Sequence, residues 1–141
     1  MMRLLITTTL LSLFTHPLLA QSADLRIEGV IYGSNGLPLR GATLTLLEGE
    51  KTIQNEETKP NGLFHFDLKL DRQYTLNVSK EGFEPQGLLF NTKGLSKEEK
   101  RFDYKLSRLR ITMAAGSSDA DVTILHDYRF DHERGNFVNS K

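Results

Sequence analysis

The sequence predicts an all-β protein: one antiparallel β-sandwich of about seven strands, followed by a C-terminal hairpin. Two observations carry this reading. Apolar and polar residues alternate with period two in one short segment after another. Between the segments, clusters of Gly, Asn, Pro and Ser recur at the spacing that a sandwich uses for its turns.

From Asp24, Leu25, Ile27, Gly29 and Ile31 fall on one side of a strand, and Arg26, Glu28, Val30 and Tyr32 fall on the other. Ser34-Asn35-Gly36 and Pro38 form the turn that follows. Ala42, Leu44 and Leu46 then alternate with Thr43 and Thr45, and Glu48-Gly49-Glu50 reverses the chain. The run Lys51 to Lys59 holds one large apolar residue, Ile53, and predicts an exposed edge strand whose charges discourage unwanted pairing.

Pro60-Asn61-Gly62 opens the most strongly patterned strand, in which Phe64, Phe66, Leu68 and Leu70 share a face against His65, Asp67 and Lys69. That face predicts the centre of the core. Tyr74, Leu76 and Val78 repeat the pattern up to Lys80-Glu81-Gly82-Phe83, and Gly87 to Asn91 gives a further short apolar run. Ser96-Lys97-Glu98-Glu99 has the spacing of a capping box, with one helical turn or a loop expected behind it. Phe102, Tyr104 and Leu106 have the opposite parity to Leu109, Ile111 and Met113, which predicts a bulge or break near Ser107-Arg108. Ala114 to Ala120 reads as a connector. Val122, Ile124, Tyr128 and Phe130, with a turn at Arg134-Gly135-Asn136 and a final Phe137-Val138, read as the hairpin.

The N-terminus has a different organisation. Met1-Met2-Arg3 carries positive charge, Leu4 to Phe14 is almost wholly apolar, and Leu18-Leu19-Ala20 ends on a small residue. This is the layout of a cleavable signal peptide over residues 1–20, with the cut between Ala20 and Gln21. The apolar run is shorter than the roughly 20 residues of a spanning helix, so no membrane span is expected after cleavage. The expected division is therefore a signal peptide at 1–20, the sandwich at 24–113, and a linker with hairpin at 114–141. The location that follows is exported: periplasmic or outer-membrane-associated.

Composition narrows the function classes. The 18 Lys and Arg balance 18 Asp and Glu, so no global field directs the chain to nucleic acid or an anionic surface. With no cysteine, disulfides, thiolate zinc sites, a cysteine nucleophile and a lipid-modified N-terminal cysteine are all excluded.

Four elements in order resemble the carboxypeptidase regulatory-like family, a transthyretin-like β-sandwich. They are Ile27-Glu28-Gly29-Val30-Ile31; then Gly36-Leu37-Pro38-Leu39-Arg40-Gly41-Ala42-Thr43-Leu44; then Thr58 with Asn61-Gly62-Leu63-Phe64-His65-Phe66; and finally Tyr74-Thr75-Leu76-Asn77-Val78-Ser79-Lys80-Glu81-Gly82-Phe83. The resemblance covers Ile27 to about Phe90. It implies a transthyretin- or immunoglobulin-like sandwich and an envelope setting, and it implies no reaction.

The residues that could carry chemistry are few. His126-Asp127 with Asp131-His132-Glu133 combines imidazoles with carboxylates, as metal sites do. On one strand, however, His126 and His132 stand roughly 20 Å apart, so a polar strand face is the simpler reading. The transthyretin-like fold includes a hydrolase whose chemistry resembles one built on paired histidines, an arginine and a C-terminal Tyr-Arg-Gly-Ser motif. This chain ends Asn139-Ser140-Lys141, and His65 is an outward residue with no second histidine near it in sequence. No nucleophile elbow or phosphate loop is present. The basic residues from Lys93 to Arg110 are interrupted by Glu98, Glu99 and Asp103 and read as a solvated face rather than a nucleic-acid surface. Asn77-Val78-Ser79 reads as a plain outward strand position, and Tyr32 is the one evident outward aromatic of the matching strands.

The resulting expectation is a noncatalytic exported module without a catalytic, metal or cofactor site, acting as a structural or protein-interaction component of the envelope. The expected partner-facing parts are the Lys51 to Lys59 edge and the C-terminal hairpin. A glycan- or metal-binding module using Val122 to Glu133 is the alternative, and the hydrolase is the third.

Overall fold

The structure is a computed structural model that describes residues 24–141. The signal peptide expected over residues 1–20 lies outside the described residues.

Each alternating segment forms a strand. In chain order these are β1 (Asp24–Tyr32), β2 (Thr43–Glu48), β3 (Lys51–Glu57), β4 (Leu63–Lys69), β5 (Gln73–Ser79), β6 (Gln86–Asn91), β7 (Tyr104–Thr112), β8 (Thr123–Asp131) and β9 (Asn136–Asn139), with one 3₁₀ turn at Glu99–Arg101. They build two facing sheets, a three-stranded one ordered β4-β1-β7 and a six-stranded one ordered β3-β2-β5-β6-β8-β9. The space between them is filled by the predicted faces: Leu25, Ile27 and Ile31 of β1, Leu44 and Leu46 of β2, Phe64, Phe66 and Leu68 of β4, and Tyr74, Leu76 and Val78 of β5. Period-two burial of this kind commits each strand to a single register, because a slip of one residue would turn its apolar set to water.

Two pairings differ from the antiparallel expectation. β1 lies parallel to β7, and β6 lies parallel to β8, so both sheets are mixed. Strands joined by tight turns pair antiparallel, whereas these partners are far apart in sequence and reach each other by long connections that impose no antiparallel sense.

The parity change in β7 has the predicted cause. Ile27 of β1 faces Leu106 and Gly29 faces Leu109, so β7 carries an extra residue there, with Arg108 in the left-handed region at φ 63°. Gly29 is what lets the bulge press inward. A Cβ on it would stand 2.5 Å from the Leu109 carbonyl oxygen and 2.8 Å from the Phe64 ring.

A second register shift corrects the hairpin reading. Gly87 of β6 faces Ile124, but Leu88 faces His126, leaving Leu125 as the extra residue. Ile124 therefore lies on the outer face over Gly87, beside Asn77 and Val122, while Tyr128 and Phe130 turn inward. Val122 and Ile124 do not share the face of Tyr128 and Phe130, although all four residue numbers are even.

Two buried threonines close the ends of the sandwich. The Thr58 hydroxyl donates to the Leu39 carbonyl and accepts from the Ala42 N–H. The Thr92 hydroxyl lies within hydrogen-bond distance of the Lys69 and Arg72 carbonyls and accepts from the Arg72 N–H, fastening the β4–β5 turn to the end of β6. The Thr92 N–H also donates to the Arg72 carbonyl at 2.8 Å, so the turn is held by backbone and side chain together.

Candidate interaction surfaces

The capping box forms as the spacing predicts. The Ser96 N–H donates to Glu99 Oε1 at 2.7 Å, and the Glu99 N–H donates to Ser96 Oγ at 3.2 Å. The box holds a 3₁₀ turn whose Glu99 carbonyl accepts the Tyr104 hydroxyl at 2.6 Å. Tyr104 in turn meets Phe130 and Phe137 edge to face, with centroids 5.3 and 5.6 Å apart. Phe130 and Phe137 also meet edge to face. Because Phe137 is buried and β8 is laddered to β6, the hairpin is built into the larger sheet.

Between this loop and the hairpin lies a cleft of about 410 Å³, lined among others by Phe102, Asp103, Tyr104, Phe130 and Asn136. Phe102 at its rim is 63 % exposed, the most exposed large apolar side chain among the described residues. Sequence alternation had placed Phe102 in step with Tyr104 and Leu106, yet it precedes β7 and its ring is left in water.

A broader trough of about 930 Å³ runs from the three-stranded sheet to the end of β3, with Glu28, Val30, His65, Lys105, Glu56 and Glu57 in its lining. Glu28 receives Lys105 at 3.2 Å and Arg26 at 2.8 Å, and hydrogen bonds from these two cations hold its carboxyl below the usual carboxylate range.

The residues singled out for metal binding are not brought together. His126 Nδ1 lies 2.9 Å from the Asn139 side-chain amide, whereas His132 Nδ1 lies 3.0 Å from both Glu99 oxygens. Asp127 holds Arg129, and Asp131 accepts the Glu133 and Arg134 N–H groups. Among the described residues no group of three or more His, Cys, Asp and Glu side chains could hold a metal ion. His65 stands exposed on the outer face of β4. The basic residues are dispersed: Lys100 pairs with Asp71, Lys105 with Glu28, and Arg110 lies over the Tyr32 ring at 4.2 Å. Asn77 is half-buried rather than plainly outward, and its Oδ1 is enclosed without a hydrogen-bond partner.

β3 is an edge strand, as its polarity predicts. Its register against β2 breaks at Ile53, between Leu46 facing Gln54 and Leu47 facing Thr52. A bulge in a charged edge blocks regular strand addition, so β3 can meet a partner through its side chains but not by extending the sheet. Among the described residues no helix is long and apolar enough to cross a membrane.

A sandwich of this order, with its four matching elements in sequence, defines a regulatory-type β-module. The chain belongs to the carboxypeptidase regulatory-like domain family, whose profile matches residues 26–124. The match continues beyond Phe90, through β7 and into β8. No curated protein sequence matches the chain. Among solved structures, the chain is similar to catechol 1,2-dioxygenase from Acinetobacter sp. ADP1, with TM-score 0.50 and 11 % identity over 78 % of this chain and 60 % of that one. It is also similar to 3-chlorocatechol 1,2-dioxygenase from Rhodococcus opacus 1CP, with TM-score 0.48 and 14 % identity over 67 % and 60 %. A third is the Klebsiella pneumoniae 5-hydroxyisourate hydrolase, with TM-score 0.43 and 18 % identity over 67 % of this chain and 99 % of that chain. The similarity thus spans about 60 % of the length of the two dioxygenases. At 11 % identity the likeness to the Acinetobacter enzyme is one of fold alone.

Proposed function

We propose that this chain is a noncatalytic, exported β-sandwich module of the cell envelope that works by presenting a side-chain surface to a protein partner. The observation that carries this reading is Phe102, a large aromatic ring held in water at the mouth of an aromatic-floored cleft. Buried aromatic anchors dominate protein interfaces, and an exposed ring at the mouth of a cleft offers a partner such an anchor. The export component rests on the charged, apolar and small-residue parts of residues 1–20.

A photo-reactive residue at Phe102 is expected to give a discrete cross-linked species in intact cells. The same group at Glu81, at the opposite end of the sandwich, is expected to give none. The absence of any discrete adduct from Phe102 at native expression would overturn the partner reading. N-terminal sequencing of protein from the periplasmic fraction is expected to begin at Gln21, and recovery of the intact N-terminus from the cytoplasm would overturn export.

The cleft also favours a second reading, a glycan-binding module. Phe102 and Phe130 line the cleft with aromatic surface, and Asp103 and Asn136 place polar groups beside them. Calorimetry against a glycan panel tests it, and no heat from any member removes it.

A further inference from the structure

Among the described residues four strands have a free edge: β3 and β9 on the larger sheet, β4 and β7 on the smaller. Three of these edges carry features that discourage pairing. β3 is bulged at Ile53 and charged, β7 is bulged with Arg108 in the left-handed region, and β9 is only Asn136–Asn139. β4 carries Asp67 and Lys69 but is neither bulged nor that short. Its register against β1 runs unbroken from Lys69 facing Asp24 to Leu63 facing Val30.

The ladder fixes which backbone groups of β4 point away from β1. The Ile31 N–H donates to the Gly62 carbonyl, so even-numbered residues bond to β1 and odd-numbered residues turn their N–H and C=O groups outward. At the strand ends these outward groups are satisfied within the chain. The Leu63 N–H donates to Asn61 Oδ1, and its carbonyl accepts the Lys59 N–H. The Lys69 N–H donates to the Tyr74 hydroxyl, and its carbonyl accepts the Thr92 hydroxyl. Between them, His65 and Asp67 are left with exposed side chains and with outward N–H and C=O groups that have no partner strand among the described residues.

We propose that this edge pairs with the same edge of a second copy of the chain, antiparallel about a two-fold axis at Phe66. In that register, His65 of each copy faces Asp67 of the other, and each such pair exchanges two N–H···O bonds. The imidazole and carboxylate of each pair then lie side by side on the solvent face, where an imidazole N–H can donate to the carboxylate across the strands. Leu63, which is 44 % exposed, comes opposite Lys69, whose methylene stem covers it. Sliding the copies by two residues sets either His65 against His65 or Asp67 against Asp67, so the edge is self-complementary in one register. A two-fold arrangement closes on itself and uses both copies of the edge, joining the two smaller sheets into one. The proposal is independent of the surface at Phe102, which lies beyond the other end of this sheet's order, next to β7.

The test is the molar mass of the purified protein by sedimentation equilibrium. The wild type is expected at twice the mass of one chain. His65→Pro removes an N–H that the β1 ladder does not use, so a folded single chain with unchanged far-ultraviolet circular dichroism is expected. His65→Asp, which sets carboxylates against Asp67 of the second copy, is expected to weaken dimerisation at neutral pH at least tenfold, and the double variant His65→Asp/Asp67→His to restore it. A wild type at single-chain mass even at millimolar concentration would overturn the proposal. So would a folded His65→Pro protein that stays dimeric, or a charge-swapped double variant no tighter than the single one.

Discussion

His132 Nδ1 sits 3.0 Å from both carboxylate oxygens of Glu99, tying the C-terminal hairpin to the capping-box turn. Glu99 also accepts the Ser96 N–H. That backbone hydrogen bond, with a smaller contribution from His132, holds its carboxyl below the ordinary value of 4.5. A carboxyl whose folded value is lowered contributes stability above its ordinary value and loses it as pH falls through the folded one. Thermal melts are therefore expected to show stability falling as pH drops below 4.5. Glu99→Gln is expected to flatten part of that fall, and an unchanged acid limb would count against this role.

Gly29→Ala is expected to destabilise the protein by about 2–3 kcal/mol in urea unfolding. The clash is with the Leu109 backbone oxygen as well as side chains, so rotamer changes cannot relieve it. A loss near zero would show that the β7 bulge can shift.

Thr92→Val keeps the shape of a fully buried side chain and removes its hydroxyl. The Arg72 N–H and at least one carbonyl lose a partner, and the expected cost is about 1–3 kcal/mol. Chemical denaturation with an unchanged slope would place the loss in the folded state.

Phe137→Ala removes a buried ring that meets both Tyr104 and Phe130. The expected cost is about 3–5 kcal/mol. Amide exchange is expected to rise most in β8 and β9, while β2 and β5 keep their protection. Equal loss of protection in all strands would show that the hairpin unfolds only with the whole sandwich.

Much of the fold is legible in the sequence because burial follows alternation directly. The faces of β1, β2, β4 and β5, the capping box at Ser96 and Glu99, and the bulge beside Arg108 can all be read from spacing alone. Partner choice is a different quantity. Period two says which way Leu25 and Ile27 point, but not that β1 will lie parallel to β7, since that depends on long connections rather than local pattern. The bulge at Leu125 is hidden for a related reason: Ile124, Leu125 and His126 show no change of parity, as apolar Ile124 is covered on the outside over Gly87. Thr92 looks like any polar loop residue until the turn it fastens is in place. For the surfaces, His126 and His132 meet partners brought by the fold, Asn139 and Glu99, that local spacing does not name, while Phe102 reads as a strand residue because exposure of its ring depends on where β7 begins.

The pairing of β1 with β7 also sets a schedule for folding. The first described strand receives one neighbour early, when β4 is made, but its other side stays vacant until almost the whole sandwich sequence is available. Contacts so distant along the chain are slow to form, typically on the order of milliseconds to seconds for β-sandwiches. One side of β1 therefore stays open until β7 is present, which puts a first strand and a late one in the same final closing step.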